Sequence, residues 1–449
     1  MAKFGGTSMA DTSAIVQSAK VAVSKKVSLV VVSATNGTTD ALVESADMAF
    51  RGKSSQAAKN ISVIIAKHKK IAEALNADDA MKEGLNTLFE ELKTSIDSAR
   101  PSDNPSRRTI DEILSFGERM SSMLMVAALH MQGVPAALVD ARKVIRTDNH
   151  FGYATPLVDD IADSARLLLK PQLKAGKVIV TQGFIGSSSE GATTTLGRGG
   201  SDYSAALLAE SLHARQLQIW TDVAGIASSD PRIVKNAQKI DHLTFQEAAE
   251  LATAGAKILY PRTITPSRRA GIPVFVGNTF APEAGGTTIS GQTDSRPLIR
   301  AITLKADQCL VSLTTIEMAH QFGYLAKIFD IFAKFRVSVD QISTSEITVS
   351  VVLEKRTLVN KELLDELRQL GEVKVEEGLS VISLIGSDVN DSPGLAQAIF
   401  ANLEGQDSKI AVRMICQGAS RHNFCFLVAD RHGPAMVRKL HTRFIEDAG

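Results

Sequence analysis

Four glycine-bearing loops contain the residues of this sequence that are best suited to chemistry. They are residues 3–8 (KFGGTS), 33–39 (SATNGTT), 193–202 (TTTLGRGGSD) and 221–226 (TDVAGI). Backbone N–H groups freed by glycine at a helix N-terminus bind anions, and ligands of open α/β sheets bind at the carboxyl ends of strands. Four such loops in one domain therefore indicate a ligand that carries phosphate.

These loops lack the familiar nucleotide fingerprints. No GxxxxGK[ST] loop occurs, and residues 197–202 (GRGGSD) depart from GxGxxG because Asp202 stands where the last glycine would fall. A single glycine loop is weak evidence, and Lys3 beside Gly5 and Gly6 would by itself be an ordinary surface lysine. The loops alone therefore leave the reaction open.

The scaffold predicted for these loops is an α/β domain with a mostly parallel sheet. Short β-branched runs alternate with longer helical patterns, which is typical of strands joined by helices. The runs that predict strands are residues 27–33, 177–182, 218–221 and 273–276. A helical insertion spans roughly residues 40–132, and it is broken by a proline-rich loop at 100–106. A capping box at residues 109–112 (TIDE) predicts the start of the helix that follows this loop.

A change of composition near residues 281–300 predicts a domain boundary. This stretch contains several glycines and prolines and few apolar residues, as linkers between domains commonly do. We therefore expect one domain over residues 1–292 and a second region over residues 293–449.

The second region contains an internal repeat. Val311 and Gly323 recur as Ile382 and Gly394, each 71 residues further along the chain. Each copy predicts a strand, a helix, two strands and a further helix. The first helices are expected at 321–335 and 393–403, and the later strands at 337–342 and 347–354 in one copy and at 410–416 and 423–429 in the other. Two βαββα copies suggest a small-molecule-sensing pair packed side by side.

Composition excludes several classes of protein. The 449 residues include 50 Lys and Arg against 49 Asp and Glu, so the net charge of +1 argues against a nucleic-acid-binding surface and against a disordered acidic chain. No apolar run approaches the roughly 20 residues of a membrane helix. The first residues lack the apolar core of a signal peptide, so a cytoplasmic location is expected. Three cysteines without CxxC spacing predict reduced thiols and no zinc site.

Several strings, taken in order, resemble the aspartokinases of the amino-acid-kinase superfamily. They are KFGGTS at 3–8, FGERMSS at 116–122, TTTLGRGGSDYSAALLA at 193–209, WTDVAGI at 220–226, SDPR at 229–232 and GAKILYP at 255–261. The resemblance runs from Lys3 to the C-terminus and favours the monofunctional, lysine-sensitive bacterial type. It implies an amino-acid-kinase-like αβα sandwich followed by a regulatory α+β region of two tandem ACT-like βαββαβ domains.

The resemblance also implies a reaction. ATP, with Mg²⁺, would phosphorylate the side-chain carboxylate of L-aspartate to 4-phospho-L-aspartate, the first step towards lysine, threonine and methionine. This carboxylate has an ordinary pKa near ~3.9 and is already ionised, so no general base is needed. Lys3 matches the lysine that stabilises the transferring phosphoryl group, Asp202 would hold Lys3 by charge pairing, and Gly5 and Gly6 would let the backbone approach the phosphates.

The remaining site residues follow from the same motifs. Arg198 would grip the α-carboxylate of aspartate, and Glu118 would bind its ammonium group. Donors to the substrate would be Ser33, Thr39 and Ser201. Besides Lys3, Gly5 and Gly6, the positions that match the ATP site are Thr221, Asp222, Arg232 and Lys257. One departure is Ala227, which stands where relatives carry an aromatic residue.

An effector site for L-lysine is implied in the repeats. Its residues would be Met318, Tyr324, Leu325, Val339, Asp340, Ser345 and Glu346. Asp340 and Glu346 flank a short turn, so their carboxylates are expected to repel each other until a lysine ammonium group lies between them. A homodimer through the repeats is expected, and a tetramer is an alternative. Neither nucleic acid nor membrane is an expected partner.

Two other functions remain open. One is a different small-molecule kinase with the same fold, for example one that phosphorylates glutamate. The other is a non-catalytic paralogue that only senses amino acids through its repeats. The intact set of Lys3, Glu118, Arg198 and Asp202 counts against the second.

Overall fold

The chain forms two compact units in a computed structural model that describes residues 1–102, 105–256, 260–401 and 410–447. The first unit comprises Met1–Ile226, Lys239–Ala248 and Ile258–Thr293. The second comprises Ala227–Gln238, Ala249–Lys257 and Asp294–Gly449. Two short segments from the predicted first domain therefore belong to the second unit. No helix in the described ranges combines the length and the apolar character needed to cross a lipid bilayer.

The first unit is built on an eight-stranded sheet. Along the chain the strands are β1 (Ala2–Phe4), β2 (Leu29–Val32), β3 (Ala136–Val139), β4 (Val178–Gln182), β5 (Ile185–Ser187), β6 (Thr193–Thr195), β7 (Leu217–Thr221), β8 (Ile226–Ala227), β9 (Lys239–Ile240), β10 (His242–Thr244), β11 (Val274–Asn278) and β12 (Gly286–Ser290). The sheet order is β10–β12–β11–β7–β1–β2–β4–β3, while β5 pairs with β6 and β8 with β9. The six strands from β11 to β3 run parallel, and only the β11–β12 pair is antiparallel. The predicted mostly parallel sheet is confirmed.

Ten helices in the described ranges accompany this sheet. They are α1 (Thr12–Ser24), α2 (Thr38–Phe50), α3 (Ser54–Ala74), α4 (Asp79–Ser98), α5 (Arg107–Met131), α6 (Val158–Leu168), α7 (Lys170–Lys174), α8 (Gly200–Ser211), α9 (Phe245–Thr253) and α10 (Pro261–Arg269). Helices α1 to α5 share one apolar core with alternate residues of β1 and β2, and α8 packs against β1, β2 and β7. The helical insertion predicted for residues 40–132 therefore corresponds to α2–α5.

The start of α5 differs from the prediction. The helix begins at Arg107, and its N-cap is Ser106, whose side chain accepts a hydrogen bond from the Thr109 N–H. The predicted capping box at 109–112 therefore lies inside the helix. Ser106 and Thr109 are both good N-cap residues by type, so residue type alone does not distinguish the two positions.

Strand β1 is only three residues long and yet lies in the middle of the sheet. Its side chains alternate, as in any strand. Ala2 and Phe4 are fully buried in the core shared with α1–α5. Lys3 lies between them and therefore projects from the opposite face, where α8 packs. The sheet thus places one lysine at its centre, beside the start of a helix.

The second unit contains a six-stranded antiparallel sheet. Its strands are β13 (Ala301–Thr314), β14 (Gln341–Thr344), β15 (Thr348–Glu354), β16 (Glu372–Ile385), β17 (Met414–Ser420) and β18 (Asn423–Ala429), in the order β14–β15–β13–β16–β18–β17. Its helices are α11 (Tyr324–Lys334), α12 (Lys361–Arg368), α13 (Leu395–Ala401) and α14 (Gly433–His441). The predicted repeat is visible in Gly323 and Gly394, which precede α11 and α13 with the same φ of +77°. The end of the predicted helix 393–403 lies partly outside the described residues.

The two repeats are interleaved, which corrects the expectation of two domains in simple tandem. Residues 308–314 of β13 pair with β15 and belong to the first repeat. Residues 301–305 of the same strand pair with residues 381–385 of β16 and complete the second repeat. Each repeat therefore has four strands, but one strand of the second repeat precedes the whole of the first. The order of helices and strands along the chain could not reveal that the repeats share β13, because strand pairing joins residues that are distant in sequence.

Candidate active site

A cavity of about 330 Å³ lies where β1 and β2 end and α8 begins. It brings together eight of the predicted site residues: Lys3, Gly6, Ser33, Thr39, Glu118, Arg198, Ser201 and Asp202. Sequence reasoning missed other residues that line it, namely Ala34, Thr35, Asn36, Gly37, Asp40, Phe184, Gly197, Gly199 and Gly200. Most of these lie inside the predicted glycine loops, so the loops were found but not their individual contacts. Gly5 does not line the cavity, although a side chain at Gly5 would come within 3.6 Å of Lys3 Nζ.

A buried ion pair forms part of the cavity wall. Lys3 Nζ lies 2.6 Å from Asp202 Oδ1, and the two side chains are 10% and 15% exposed. Asp202 is in the first turn of α8, where the helix dipole also favours a carboxylate. The pair fixes the position of the ammonium group while leaving it at the cavity wall, where it can meet an anion.

The loop that leads into α8 is shaped to expose backbone N–H groups. Gly197 and Gly199 both have φ of +74°, in the left-handed region that favours glycine, and Gly199 is the N-cap of α8. A Cβ atom at Gly199 would lie 2.4 Å from the Tyr260 ring, so a larger residue would also clash. No side chain caps the N-terminus of α8, and the residues that begin this helix line the cavity, so the helix N-terminus suits a phosphate or carboxylate group.

Glu118 is an almost fully buried carboxyl in the middle of α5. It is 3% exposed, and its Oε1 accepts a hydrogen bond from the Ala34 N–H at 3.1 Å. Gly117 allows this approach, since a Cβ atom there would lie 2.8 Å from the Ala34 side chain. Glu118 Oε2 has no hydrogen-bond partner within the described part of the chain. Burial raises the pKa of Glu118 to about 8, against the smaller lowering effects of the Ala34 N–H and the Lys3 charge. A cation that entered the cavity would satisfy this group.

Two buried polar residues outside the predicted set support the loops of the site. Asp111 accepts hydrogen bonds from the backbone N–H groups of Gly152 and Thr195, each at 2.8 Å, and so anchors β6 just before the loop that leads into α8. His68 Nε2 lies 3.3 Å from the Thr35 hydroxyl, and burial lowers its pKa to about 4. Asp111 lies within the predicted capping box at 109–112, which indicates a helix start and not a role at the site, and His68 lies in no recognised motif. A polar residue within an otherwise apolar helical face was the only available signal.

Of the residues predicted to bind ATP, Thr221, Asp222 and Arg232 do not line the cavity around Lys3. Thr221 and Asp222 lie at the end of β7, next to β1, and the Thr221 hydroxyl donates to Asp222 Oδ1 at 3.0 Å. Arg232 belongs to the second unit and pairs with Asp230 at 2.6 Å. Lys257 lies outside the described residues.

A second cavity, of about 480 Å³, lies in the second unit around the start of α11. Five of the predicted effector residues line it: Met318, Tyr324, Leu325, Ser345 and Glu346. Val339 and Asp340 line a different cavity, and Asp340 forms an ion pair with Lys305. The expected repulsion between Asp340 and Glu346 is therefore wrong for this chain, because a lysine side chain already neutralises Asp340.

The geometry of the first unit defines a class of enzyme. A lysine paired with an aspartate, a helix N-terminus without a side-chain cap and a buried glutamate meet at the carboxyl ends of parallel strands, without a P-loop. Such a site can hold two anions side by side and stabilise charge that develops between them. These features define a phosphotransferase that acts on a small molecule.

Comparison with known proteins identifies the family. The chain matches the amino acid kinase family over residues 2–278 and an ACT domain over residues 382–444. It is 43% identical to lysine-sensitive aspartokinase 3 of Escherichia coli, across 99% of both chains, and 33% identical to the chloroplastic aspartokinase 1 of Arabidopsis thaliana, across 99% of this chain and 80% of the relative. The chain therefore belongs to the aspartokinases of the amino acid kinase family.

Two solved structures of E. coli aspartokinase III match the fold over nearly the whole chain. The complex with aspartate and ADP is 42% identical with a TM-score of 0.87, and 98% of each chain is covered. The complex with lysine and aspartate is 42% identical with a TM-score of 0.83, and 99% of each chain is covered. The predicted family, fold class and enzyme class, an aspartate kinase, are confirmed.

Proposed function

We propose that this chain transfers the γ-phosphoryl group of ATP to the side-chain carboxylate of L-aspartate through the cavity around Lys3. The observation that carries the proposal is the convergence of the Lys3–Asp202 pair, the start of α8 and the buried Glu118 on one cavity. The E. coli relative has been solved with aspartate and ADP, which supports the same pair of ligands here.

We propose a role for the charged groups that would bind aspartate. Glu118 binds the ammonium group of aspartate, which satisfies the free Oε2 atom. Arg198 is exposed at the cavity edge and binds the α-carboxylate, since guanidinium grips carboxylates with two hydrogen bonds. Ser33, Thr39 and Ser201 contribute hydroxyl or backbone donors. The β-carboxylate is left free to attack.

The transferring phosphoryl group is stabilised by fixed positive charge. Lys3 and the N–H groups at the start of α8 face the same cavity, so the charge on the phosphoryl oxygens can be balanced without movement of either group. The attacking carboxylate is ionised at neutral pH and needs no base. Catalysis is therefore positioning together with electrostatic stabilisation.

ATP would extend from Lys3 and Gly6 towards Thr221 and Asp222, because β7 and β1 are adjacent strands. Mg²⁺ supplies charge neutralisation when it accompanies the nucleotide. Within the described ranges no group of three or more His, Cys, Asp or Glu side chains is arranged to hold an ion. This fits an ion held mainly by phosphate oxygens and water, as Mg²⁺ often is.

The substrate is tested by ADP release measured in parallel with L-aspartate, L-glutamate and N-acetyl-L-glutamate. We expect kcat/KM for aspartate to exceed the others by at least about tenfold, since an extra methylene displaces the reacting carboxylate in a closed site. Preference for glutamate would favour the alternative kinase. No turnover with any substrate by a folded protein would favour the non-catalytic paralogue.

The pH dependence should report the ionisation of Glu118. Because burial raises its pKa to about 8, the carboxyl is protonated in the free enzyme below that pH and cannot pair with an ammonium group. We expect kcat/KM for aspartate to rise up to about tenfold per pH unit below this pKa and to level off above it. The measurement is an initial-rate series from about pH 6 to 9.

The same series with ATP as the varied substrate and aspartate saturating is the control. Bound ammonium stabilises the ionised form of Glu118, so this rise should shift to lower pH. Identical profiles for both substrates would contradict the assignment of Glu118.

L-Lysine should inhibit the enzyme through the cavity of the second unit. We propose that Glu346 binds one ammonium group of lysine while Met318, Tyr324 and Leu325 contact its methylene chain. Replacing Glu346 by Ala should raise the half-inhibitory lysine concentration at least about tenfold, because a charge-assisted hydrogen bond is lost. The measurement is kinase activity across a lysine series.

The matched control for this test is Glu317→Ala. Glu317 is exposed next to Met318 but does not line the cavity, so its removal should leave inhibition unchanged. A wild-type enzyme insensitive to lysine would remove the effector assignment, and sensitivity to threonine would redirect it.

We also propose a homodimer through the second unit. The cavity lined by Met318 and Glu346 is called the effector cavity below. Phe322, which also lines it, is fully exposed, and Ile316, two residues before Met318, is 81% exposed. Aromatic residues are enriched at protein–protein interfaces relative to the rest of the surface. The proposed domain roles are catalysis for residues 1–292 and regulation for residues 293–449, and the proposed location, which rests on sequence alone, is the cytoplasm.

A further inference from the structure

Two of the three cysteines face each other across the edge hairpin of the second unit. Cys416 in β17 and Cys425 in β18 are directly opposed in the antiparallel register. Opposed residues in such a pair have Cα atoms about 4.5–5.5 Å apart, which lies within the range of disulfide-bonded cysteines. Both side chains line one cavity of about 840 Å³, so the two thiols lie on the same face of the sheet.

The two thiols differ in environment. Cys416 is half-buried, and hydrogen bonding with the neighbouring Cys425 holds the pKa of Cys416 below its ordinary value. Cys425 is 4% exposed, and the interaction with Cys416, together with burial, raises its pKa. A half-buried thiol of lowered pKa is the better nucleophile towards a disulfide. Cys416 is therefore suited to react first and Cys425 to react second.

A glutamine of the first repeat contacts both sulfur atoms. Gln341 Nε2 donates to Cys425 Sγ at 3.1 Å, and the Cys416 thiol donates to Gln341 Oε1 at 3.8 Å. Gln341 begins β14, and β14 and β17 are the two opposite edges of the sheet. The sheet is thus curved enough for one edge to contact the hairpin at the other.

The same strand leads to the effector cavity. Thr344, the last residue of β14, lines that cavity together with Ser345 and Glu346. Oxidation of the cysteines would remove their contacts with Gln341, the first residue of β14. Such a change would therefore act on the strand whose last residue, Thr344, lines the effector cavity.

We propose that Cys416 and Cys425 form a reversible dithiol–disulfide site, oxidised by a low-molecular-weight disulfide, and that oxidation changes the response to the effector through Gln341. The second part rests on the lysine regulation proposed above. Disulfide formation removes the Cys416 thiol proton, which is the donor to Gln341 Oε1, and so breaks one of the two contacts between the repeats at this position.

The oxidation proceeds by two exchanges. The Cys416 thiolate attacks one sulfur of a disulfide R–S–S–R, which forms a mixed disulfide and releases R–S⁻. The Cys425 thiol then loses its proton and attacks Cys416 Sγ, which releases the second R–S⁻. Two cysteine thiols are oxidised, one R–S–S–R is reduced, and the two cysteine protons end on the two R–SH molecules.

The site is tested on the full-length protein with oxidised glutathione, followed by alkylation, trypsin digestion and mass spectrometry. Arg421 lies between the two cysteines, so trypsin separates residues 414–421 from residues 422–431. We expect these two peptides to be joined by a disulfide after oxidation and to separate after dithiothreitol. Full alkylation of both cysteines, or glutathione held on Cys416 without joined peptides, would overturn the proposal.

Variants identify the participating thiols. Cys416→Ser should abolish the joined peptides, whereas Cys309→Ser should not. Cys309 is a matched control because it is buried, its thiol donates to the Leu353 carbonyl at 3.4 Å, and burial raises its pKa to about 11. Joined peptides that involve Cys309 would contradict the assignment.

The effect of oxidation on regulation is measured as the inhibition by lysine of the reduced and of the oxidised enzyme. We expect the half-inhibitory lysine concentration to change at least threefold on oxidation, to return with dithiothreitol, and to stay constant in Cys416→Ser. Joined peptides with unchanged inhibition would overturn the coupling to the effector. If lysine did not inhibit the reduced enzyme, the proposed regulation by lysine would be contradicted. The peptide map would still show whether the disulfide forms.

Discussion

Replacing Lys3 by alanine should lower kcat by about 10²–10³-fold while the protein stays folded. The side chain is held 2.6 Å from Asp202 at the wall of the cavity, where the proposed reaction would bring the transferring phosphoryl group. Removal of one preorganised donor to developing charge typically has an effect of this size. Steady-state kinetics with saturating ATP and aspartate measure it directly.

Two further variants make this test specific. Lys20→Ala removes an exposed lysine of α1 and should leave kcat unchanged. Asp202→Asn keeps Lys3 but removes its charge partner, so it should lower kcat less than Lys3→Ala does. Near wild-type kcat in a folded Lys3→Ala enzyme would show that another group stabilises the phosphoryl transfer.

Replacing Glu118 by glutamine should raise KM for aspartate by about 5- to 150-fold, which corresponds to the 1–3 kcal/mol of a lost charged interaction. Glutamine preserves the size of the side chain and can still accept the hydrogen bond from Ala34, but it cannot pair with an ammonium group. KM for ATP should change much less. Arg198→Ala should show the same selectivity, because Arg198 lines the same cavity.

A control on the same helix separates this effect from damage to α5. Glu112 is a partly exposed glutamate of α5 that does not line the cavity, and Glu112→Gln should leave both KM values unchanged. A larger increase in KM for ATP than for aspartate, in either Glu118→Gln or Arg198→Ala, would mean that the two substrate positions are exchanged.

The sequence predicted the sheet and the loops of the site well. Buried parallel strands consist of continuous β-branched runs, and the glycine loops mark where those strands end, so both signals are local. Lys3, Glu118, Arg198 and Asp202 all line one cavity, although up to 199 residues separate them along the chain. We could predict that these four residues lie together because complete motifs resemble those of a known family. No single residue type would have indicated it.

The features that escaped prediction depend on contacts distant in sequence. The near-complete burial of Glu118 follows from its packing against Ala34, and the neutralisation of Asp340 follows from Lys305 on another strand. Asp111 supports the site by accepting hydrogen bonds from Gly152 and Thr195, and His68 supports it through one contact with Thr35. No motif indicates these contacts. Composition and periodicity describe one segment at a time, so such pairings are invisible to them.

The shared strand β13 determines how the two repeats can be separated. Residues 301–305 complete the second repeat, while the rest of that repeat begins only in β16, after the first repeat has ended. Duplication of an ancestral module followed by simple end-to-end fusion would have left the copies in series. In the observed order the first repeat lies between β13 and the remaining strands of the second repeat. A fragment that begins downstream of β13 therefore lacks one strand of the second repeat, and the second repeat cannot be excised as one continuous segment without the first.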